Sequence, residues 1–186
     1  PIAAGPLGTL ALGGSKTFTL AGGGAFAGTS FTRNNPAQSA TLVIPAGATL
    51  SGDGAMLGLS VDVQGSVRVD GASLGRTLDA TGSLLALSSS GVLDLAGDGS
   101  LVGTANLANN GGSVRKSSGA GVSRIMAEVR DTDGRWAVAG GNLQLDGGGF
   151  GAGTMTVNPG AGTLSLGGDG FDLVRLTAAA GSTLAF

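Results

Sequence analysis

Glutamate occurs once in this chain, at position 128, and histidine and cysteine do not occur at all. Acid–base work would therefore fall to Asp, Glu128, Lys or Arg, and thiol chemistry and disulfides are excluded. A glycosidase would need two carboxylates facing each other across a few ångströms. Asp62 and Asp94 lie in strand-like segments, but nothing in their spacing brings them together. Glu128 stands between Arg124 and Arg130. Those cations lie close to it on helical or alternating spacing, which suits a surface ion pair better than a proton donor. No Gly-x-Ser-x-Gly elbow, P-loop or HExxH motif is present. The residues therefore point away from an enzyme, with a polysaccharide-active β-helix enzyme or tail-fibre module as the alternative.

Three other constellations invite a functional reading. Gly167-Gly168-Asp169-Gly170-Phe171-Asp172-Leu173-Val174 fits one calcium-binding nonapeptide. Such sites are built from consecutive nonapeptides, and one copy supplies too few ligands, so a solenoid corner is expected and no metal or other cofactor. Arg115, Lys116, Arg124, Glu128, Arg130, Asp131, Asp133 and Arg135 carry 8 of the 22 charges (10 basic plus 12 acidic). They could form a carbohydrate- or partner-binding patch; the expectation is instead the wet face of consecutive strands, joined by cross-strand ion pairs. Trp136 could stack on a sugar, but packing at a rung edge, with its N–H near water, is the expected role. Met56, Met126 and Met155 read as gap-fillers.

These residues are set in a recurring phrase: Gly, a spacer, then apolar residues at alternate positions. It appears as Gly8-Thr9-Leu10-Ala11-Leu12, Gly91-Val92-Leu93-Asp94-Leu95, Gly141-Asn142-Leu143-Gln144-Leu145 and Gly162-Thr163-Leu164-Ser165-Leu166. The last two copies start at Gly141 and Gly162, and the step from Leu164 to Leu184 is nearly the same. A glycine-punctuated strand returning about every 20 residues is the signature of a stacked coil. Strands are expected at 8–12, 16–20, 26–32, 40–44, 56–63, 66–69, 83–87, 91–95, 100–107, 112–116, 122–130, 135–138, 142–145, 152–157, 162–166, 171–176 and 182–186. In 59–63 and 66–70 the alternation is clean, so Asp62 and Arg68 should face solvent. Asp-Gly pairs at 53–54, 70–71, 98–99, 133–134, 146–147 and 169–170 read as turns in which Asp caps its own turn. Asp-Gly is also a hairpin signal, which keeps an antiparallel sandwich as the fold alternative.

Composition agrees with a narrow, aromatic-poor interior. Glycine supplies 38 of 186 residues, yet 41% are hydrophobic in phased runs and only 12% charged, which opposes disorder. One Trp, six Phe and no Tyr are few for a large globular core but enough for stacked Leu, Val and Ala. Net charge of −2 gives no attraction to nucleic acid or an anionic membrane, and no apolar run approaches the roughly 20 residues of a spanning helix. The chain begins with Pro1 and shows no signal peptide, as expected of a mature product or a segment of something longer.

From about residue 107 onward the motifs become specific. Asn110-Gly111-Gly112-Ser113-Val114-Arg115-Lys116 is followed by Gly119, Gly121 and Ile125, then Gly134-Arg135-Trp136-Ala137-Val138, Gly141 to Leu145 and Gly147-Gly148-Gly149. Val157, Thr163-Leu164, Gly167-Gly168 and Leu184-Ala185-Phe186 complete the pattern. It resembles the repeats of filamentous-haemagglutinin-like bacterial surface adhesins and autotransporter passengers. The resemblance is good over 107–186 and one of style alone over 1–106; Asp131 and Asp133 depart from it where Asn is expected, and 158–161 breaks its usual turn. It implies an all-β, right-handed parallel solenoid, export to the bacterial cell surface or exterior, and an adhesive or scaffolding role. It carries no catalytic residues to transfer.

The expectation is thus one β-solenoid domain over 1–186, with irregular coils over 1–106 and clearer repeats over 107–186, in about nine coils of roughly 20 residues. The apolar, strand-like 183–186 suggests continuation in a longer array or end-to-end stacking of subunits. A cell-surface or glycan ligand is the expected partner, with no nucleic acid and no direct membrane insertion. Chelator should leave the melting temperature unchanged, and millimolar calcium should not raise it. A melting temperature that climbs with calcium, and falls again in Asp172→Ala, would contradict the corner reading of 167–174.

Overall fold

Strict alternation builds this chain. In Ser60–Val63 and Ser66–Asp70 every second residue is a buried Val, and the residues between are half-exposed. A side-chain period of two sends one set to the core and the other to water. The computed structural model describes residues 2–3, 9–22, 24–35, 37–70, 77–79, 82–103, 105–168 and 170–186; among them it has 22 strands and no helix.

Every strand pairing among the described residues is parallel. Parallel neighbours need a long connection, and here that connection is the rest of the coil. The strands form three stacks. In the first, Leu50, Val67, Leu93, Val114, Trp136 and Val157 lie on one another. In the second, Leu101, Ile125, Leu145 and Leu166 do so, with Leu143, Leu164 and Leu184 alongside. In the third, Phe18, Leu42, Val61, Leu85, Leu107 and Val129 do so. The parallel β-solenoid expected from the sequence is the fold, and the expected row Leu143–Leu164–Leu184 is present.

Coil length varies along the chain. Met56 lies on Phe31 and Leu93 on Val67, and both steps along the chain are longer than the step from Ile125 to Leu145, which also stack. These longer coils leave about seven complete turns, from Gly24 to Leu173, rather than nine; Ile2–Thr19 precede them and a two-strand partial turn follows.

Four long strands, Gly24–Arg33, Thr49–Leu57, Gly149–Val157 and Phe171–Ala178, run from one stack into another, so one sheet wraps the rod. Gly52 and Gly54, at φ 144° and 149°, let Thr49–Leu57 pass its corner. Asp53-Gly54 is thus strand, not the expected turn. Thr49–Leu57 was foreseen only at its end, and Thr77–Asp79 not at all. The expected strand 122–130 divides into Val122–Ile125 and Glu128–Thr132, and Met126 at the break is 50% exposed, not a gap-filler. Met56 and Met155 are buried as expected.

Asp in the corners stitches coils together as well as shaping turns. Asp133, itself at φ 57°, accepts the Thr154 N–H of the next coil at 2.8 Å. Asp98 accepts the Gly121 N–H of the next coil at 3.0 Å. Asp70-Gly71 and Asp169-Gly170 have one member each, Gly71 and Asp169, outside the described residues.

Leu164 is fully buried in the second stack, and Arg175 lies exposed on Phe171–Ala178. Leu164→Asp should destabilise the fold by about 3 kcal/mol or more. Arg175→Ala should shift stability by less than about 1 kcal/mol. Urea unfolding of both variants checks the assignment of inside and outside; equal effects would contradict it.

Candidate functional site

Stacking decides which polar groups can meet. A side chain faces the one a coil away at the same register, whatever its neighbours in sequence. Asp62 and Asp94 are therefore kept apart, as expected: Asp62 stands in the third stack beside Val43 and Ala86, and Asp94 in the first. Asp62 accepts from Gln64 Nε2 at 2.8 Å. Asp94 lies directly between Arg68 and Arg115, whose guanidinium nitrogens reach its Oδ2 at 2.9 and 3.1 Å. The Asp94 side chain is only 1% exposed between them, and its Oδ1 is buried without a hydrogen bond. Arg68, expected simply to face solvent, is half-exposed and roofs this carboxylate.

The charge cluster at 115–135 does not form one patch. Arg115 lies outside the first stack, Arg124 outside the second, paired with Asp146 at 2.8 Å, and Arg130 outside the third, paired with Glu128 at 3.1 Å. Arg135 donates to the carbonyls of Gly111 and Ser89, at 2.9 and 3.1 Å, and so clips successive coils. The expectation of a wet face with cross-strand ion pairs holds for Arg115 with Asp94 and Arg124 with Asp146; Arg130 and Glu128 pair within one strand, and Arg135 binds carbonyls rather than a carboxylate. It fails for Lys116 and Asp131, which are fully buried.

Lys116 belongs to the inward alternation of Ser113–Lys116, in register with Val138. Its ammonium bends into the corner and donates to Gly97 O (2.6 Å), Asp98 Oδ1 (2.8 Å) and Ser123 Oγ (3.2 Å). Three donors meet three acceptors, which makes a buried ammonium tolerable. The bond from Lys116 draws the Asp98 carboxyl below its ordinary value of 3.8.

Asp131 takes a core position in the third stack, where Ile44, Val63, Leu87, Asn109 and Asp131 succeed one another. Its Oδ2 accepts from Trp136 Nε1 at 2.7 Å and Asn109 Nδ2 at 3.2 Å, and its Oδ1 from Gly134 N at 2.9 Å. Gly134 packs against this knot: a Cβ there would collide with Asn109 Nδ2 and Asp131 Oδ2. Trp136 is packing, as expected, but wholly buried; its N–H meets a carboxylate rather than water. Burial pushes the Asp131 carboxyl above 3.8, against the lowering effect of its three donors.

The nonapeptide-like segment turns a corner, with Gly168 and Gly170 at φ 76° and 98°, and Asp172 exposed on the strand beyond. Asp169 lies outside the described residues. Among the described residues no three His, Cys, Asp or Glu side chains are grouped to hold a metal. Among the described residues the surface has depressions at two places of note. One, at the last coil, is lined by Leu166, Phe171, Leu173, Leu176 and Phe186; the other, outside the third stack, by Phe150, Phe171 and Asp172 with Gly149 and Gly170.

The buried knots are testable by their opposite pH dependence. Asp98, with a lowered folded value, contributes stability above pH 3.8 that is lost as pH falls through that lowered value. Asp131, with a raised value, costs stability as pH rises from 3.8 through its folded value, and the cost is relieved on acidification. Relative to Asp98→Asn, the wild type should weaken toward low pH; relative to Asp131→Asn, it should weaken as pH rises. Asp131→Ala, which strands three buried donors, should cost about 3 kcal/mol at neutral pH. Urea titrations across about pH 2 to 7 read all three. These knots are understood from their own chemistry, since comparison with family models, curated proteins and solved structures finds no match to this chain.

Proposed function

We propose that the chain is a non-catalytic structural or adhesive module of a protein exported to the bacterial cell surface or exterior. The observation that carries this reading is how the candidate catalytic groups are used. Asp94 is held between Arg68 and Arg115, Glu128 is paired with Arg130, Lys116 is tied into a corner, and Asp131 is enclosed by Asn109, Gly134 and Trp136. Asp94, Lys116 and Asp131 each hold one coil or corner to another, and Glu128 holds the Arg130 beside it in its own strand. The resemblance of 107–186 to adhesin and autotransporter repeats supports the same reading, because those repeats imply this type of stacked coil. Its partners are a further solenoid coil at an end of the rod and a cell-surface or glycan ligand on a side. Nucleic acid and direct membrane insertion are not among them.

Incubation of the purified chain with pectin, alginate, chitin or peptidoglycan should release no products. Turnover abolished by Glu128→Gln, or by a single Asp→Asn substitution, would overturn the scaffold reading in favour of a polysaccharide-active β-helix.

A further inference from the structure

Phe150 is an aromatic ring on the outside of the rod, 46% exposed. It is stacked directly on Arg130 in the coil before and under Asp172 in the coil after. The guanidinium carbon of Arg130 lies 5.5 Å from the ring centroid, while its Nε holds Glu128 at 3.1 Å. Gly149 and Gly151 flank Phe150 in its own strand, and Gly149 and Gly170 lie beside the ring. The result is a shallow depression lined by Gly149, Phe150, Gly170, Phe171 and Asp172. An exposed apolar ring costs free energy in water unless something covers it, and here a cation and a carboxylate bracket it at one-coil spacing.

We propose that this row is a binding platform for a neutral hexopyranose unit of a glycan. Two coil steps of about 4.8 Å place a donor, an apolar face and an acceptor along roughly 10 Å. That is the length of a pyranose seated on Phe150 together with part of the next sugar of the glycan. The apolar C–H face of the sugar covers the part of Phe150 that the Arg130 guanidinium leaves exposed, Asp172 accepts from hydroxyls on one side, and the Arg130 nitrogens not held by Glu128 donate to oxygens on the other. Few polar groups converging on an apolar patch is the usual composition of a small-ligand site. Glu128, Arg130 and Asp172 together carry one net negative charge, which disfavours uronate or sulfate sugars. The inference rests on the adhesive branch of the function proposed above and supplies it with a ligand class.

The test is an amide NMR titration of the purified chain with cellohexaose, N-acetylchitohexaose and hexagalacturonate. Shifts centred on Arg130, Phe150 and Asp172 are expected with at least one neutral hexamer. Phe150→Ala should weaken that binding at least tenfold. Because the ring lies outside the core, the remainder of the variant's spectrum should be unchanged. Absence of shifts with both neutral hexamers, equal affinity in Phe150→Ala, or tighter binding of hexagalacturonate would overturn the platform. Product analysis of the same samples separates the two readings. A neutral hexamer bound and cleaved would keep the platform and sink the non-catalytic module; no binding and no cleavage would do the reverse.

Discussion

The hydrogen bonds of this chain run along the rod, from each coil to the next, and the rest of the structure follows from that. An in-register parallel ladder makes every residue sit on a particular residue about one coil away. Apolar residues must therefore stack on apolar ones, and charges on their opposites. Leu143, Leu164 and Leu184 form one such column, and Arg68, Asp94 and Arg115 form another with alternating sign. A single misplaced polar residue in an inward column has to find partners within its own coil or the next, because no water reaches it.

That constraint explains the two buried knots. Asn109 and Asp131 occupy consecutive positions in an otherwise apolar column. They are tolerated because Asp131 gathers donors from Asn109, the corner at Gly134 and Trp136. Replacing the carboxylate by an amide would turn a donor toward one of those N–H groups. Lys116 solves the same problem with the opposite sign, using a carbonyl, a hydroxyl and a carboxylate at the facing corner. Both knots join the inside of one strand to the turn that follows or faces it. They set where the chain changes direction, a task the apolar columns, with no directional contacts, cannot perform.

Much of this was legible in the sequence, for a physical reason. Period-two alternation and glycine punctuation are local signals, and they revealed strands, inward rows and the solenoid class. Coil length is not local: the coil from Phe31 to Met56 is longer than the one from Ile125 to Leu145, and no residue type announces that. Gly52-Asp53-Gly54 read as a turn because the same glycine freedom serves a strand that rounds a corner. Lys116 and Asp131 read as surface charges because their type outweighed their position. Their places in the inward alternation, Val114 then Lys116 and Val129 then Asp131, were the signal for burial. Phe150 escaped notice for the converse reason: an aromatic residue at an outward position, among glycines, is visible only once register places Arg130 and Asp172 on either side.

The inward polar groups, Lys116 and Asp131, are engaged in holding strand to corner, and the outward rows, such as Arg130, Phe150 and Asp172, are the part of the rod a partner can reach. Inward columns and outward rows alike depend on the parallel register. The most direct measurement of it is the set of interstrand nuclear Overhauser contacts around the second stack in a uniformly labelled sample. Backbone contacts should link Leu143 to Leu164 and Leu164 to Leu184, with the same offset at the flanking positions Gln144 to Ser165 and Ser165 to Ala185. Contacts whose offset changes sign along the strands, as antiparallel pairing requires, would contradict the solenoid and the columns built on it.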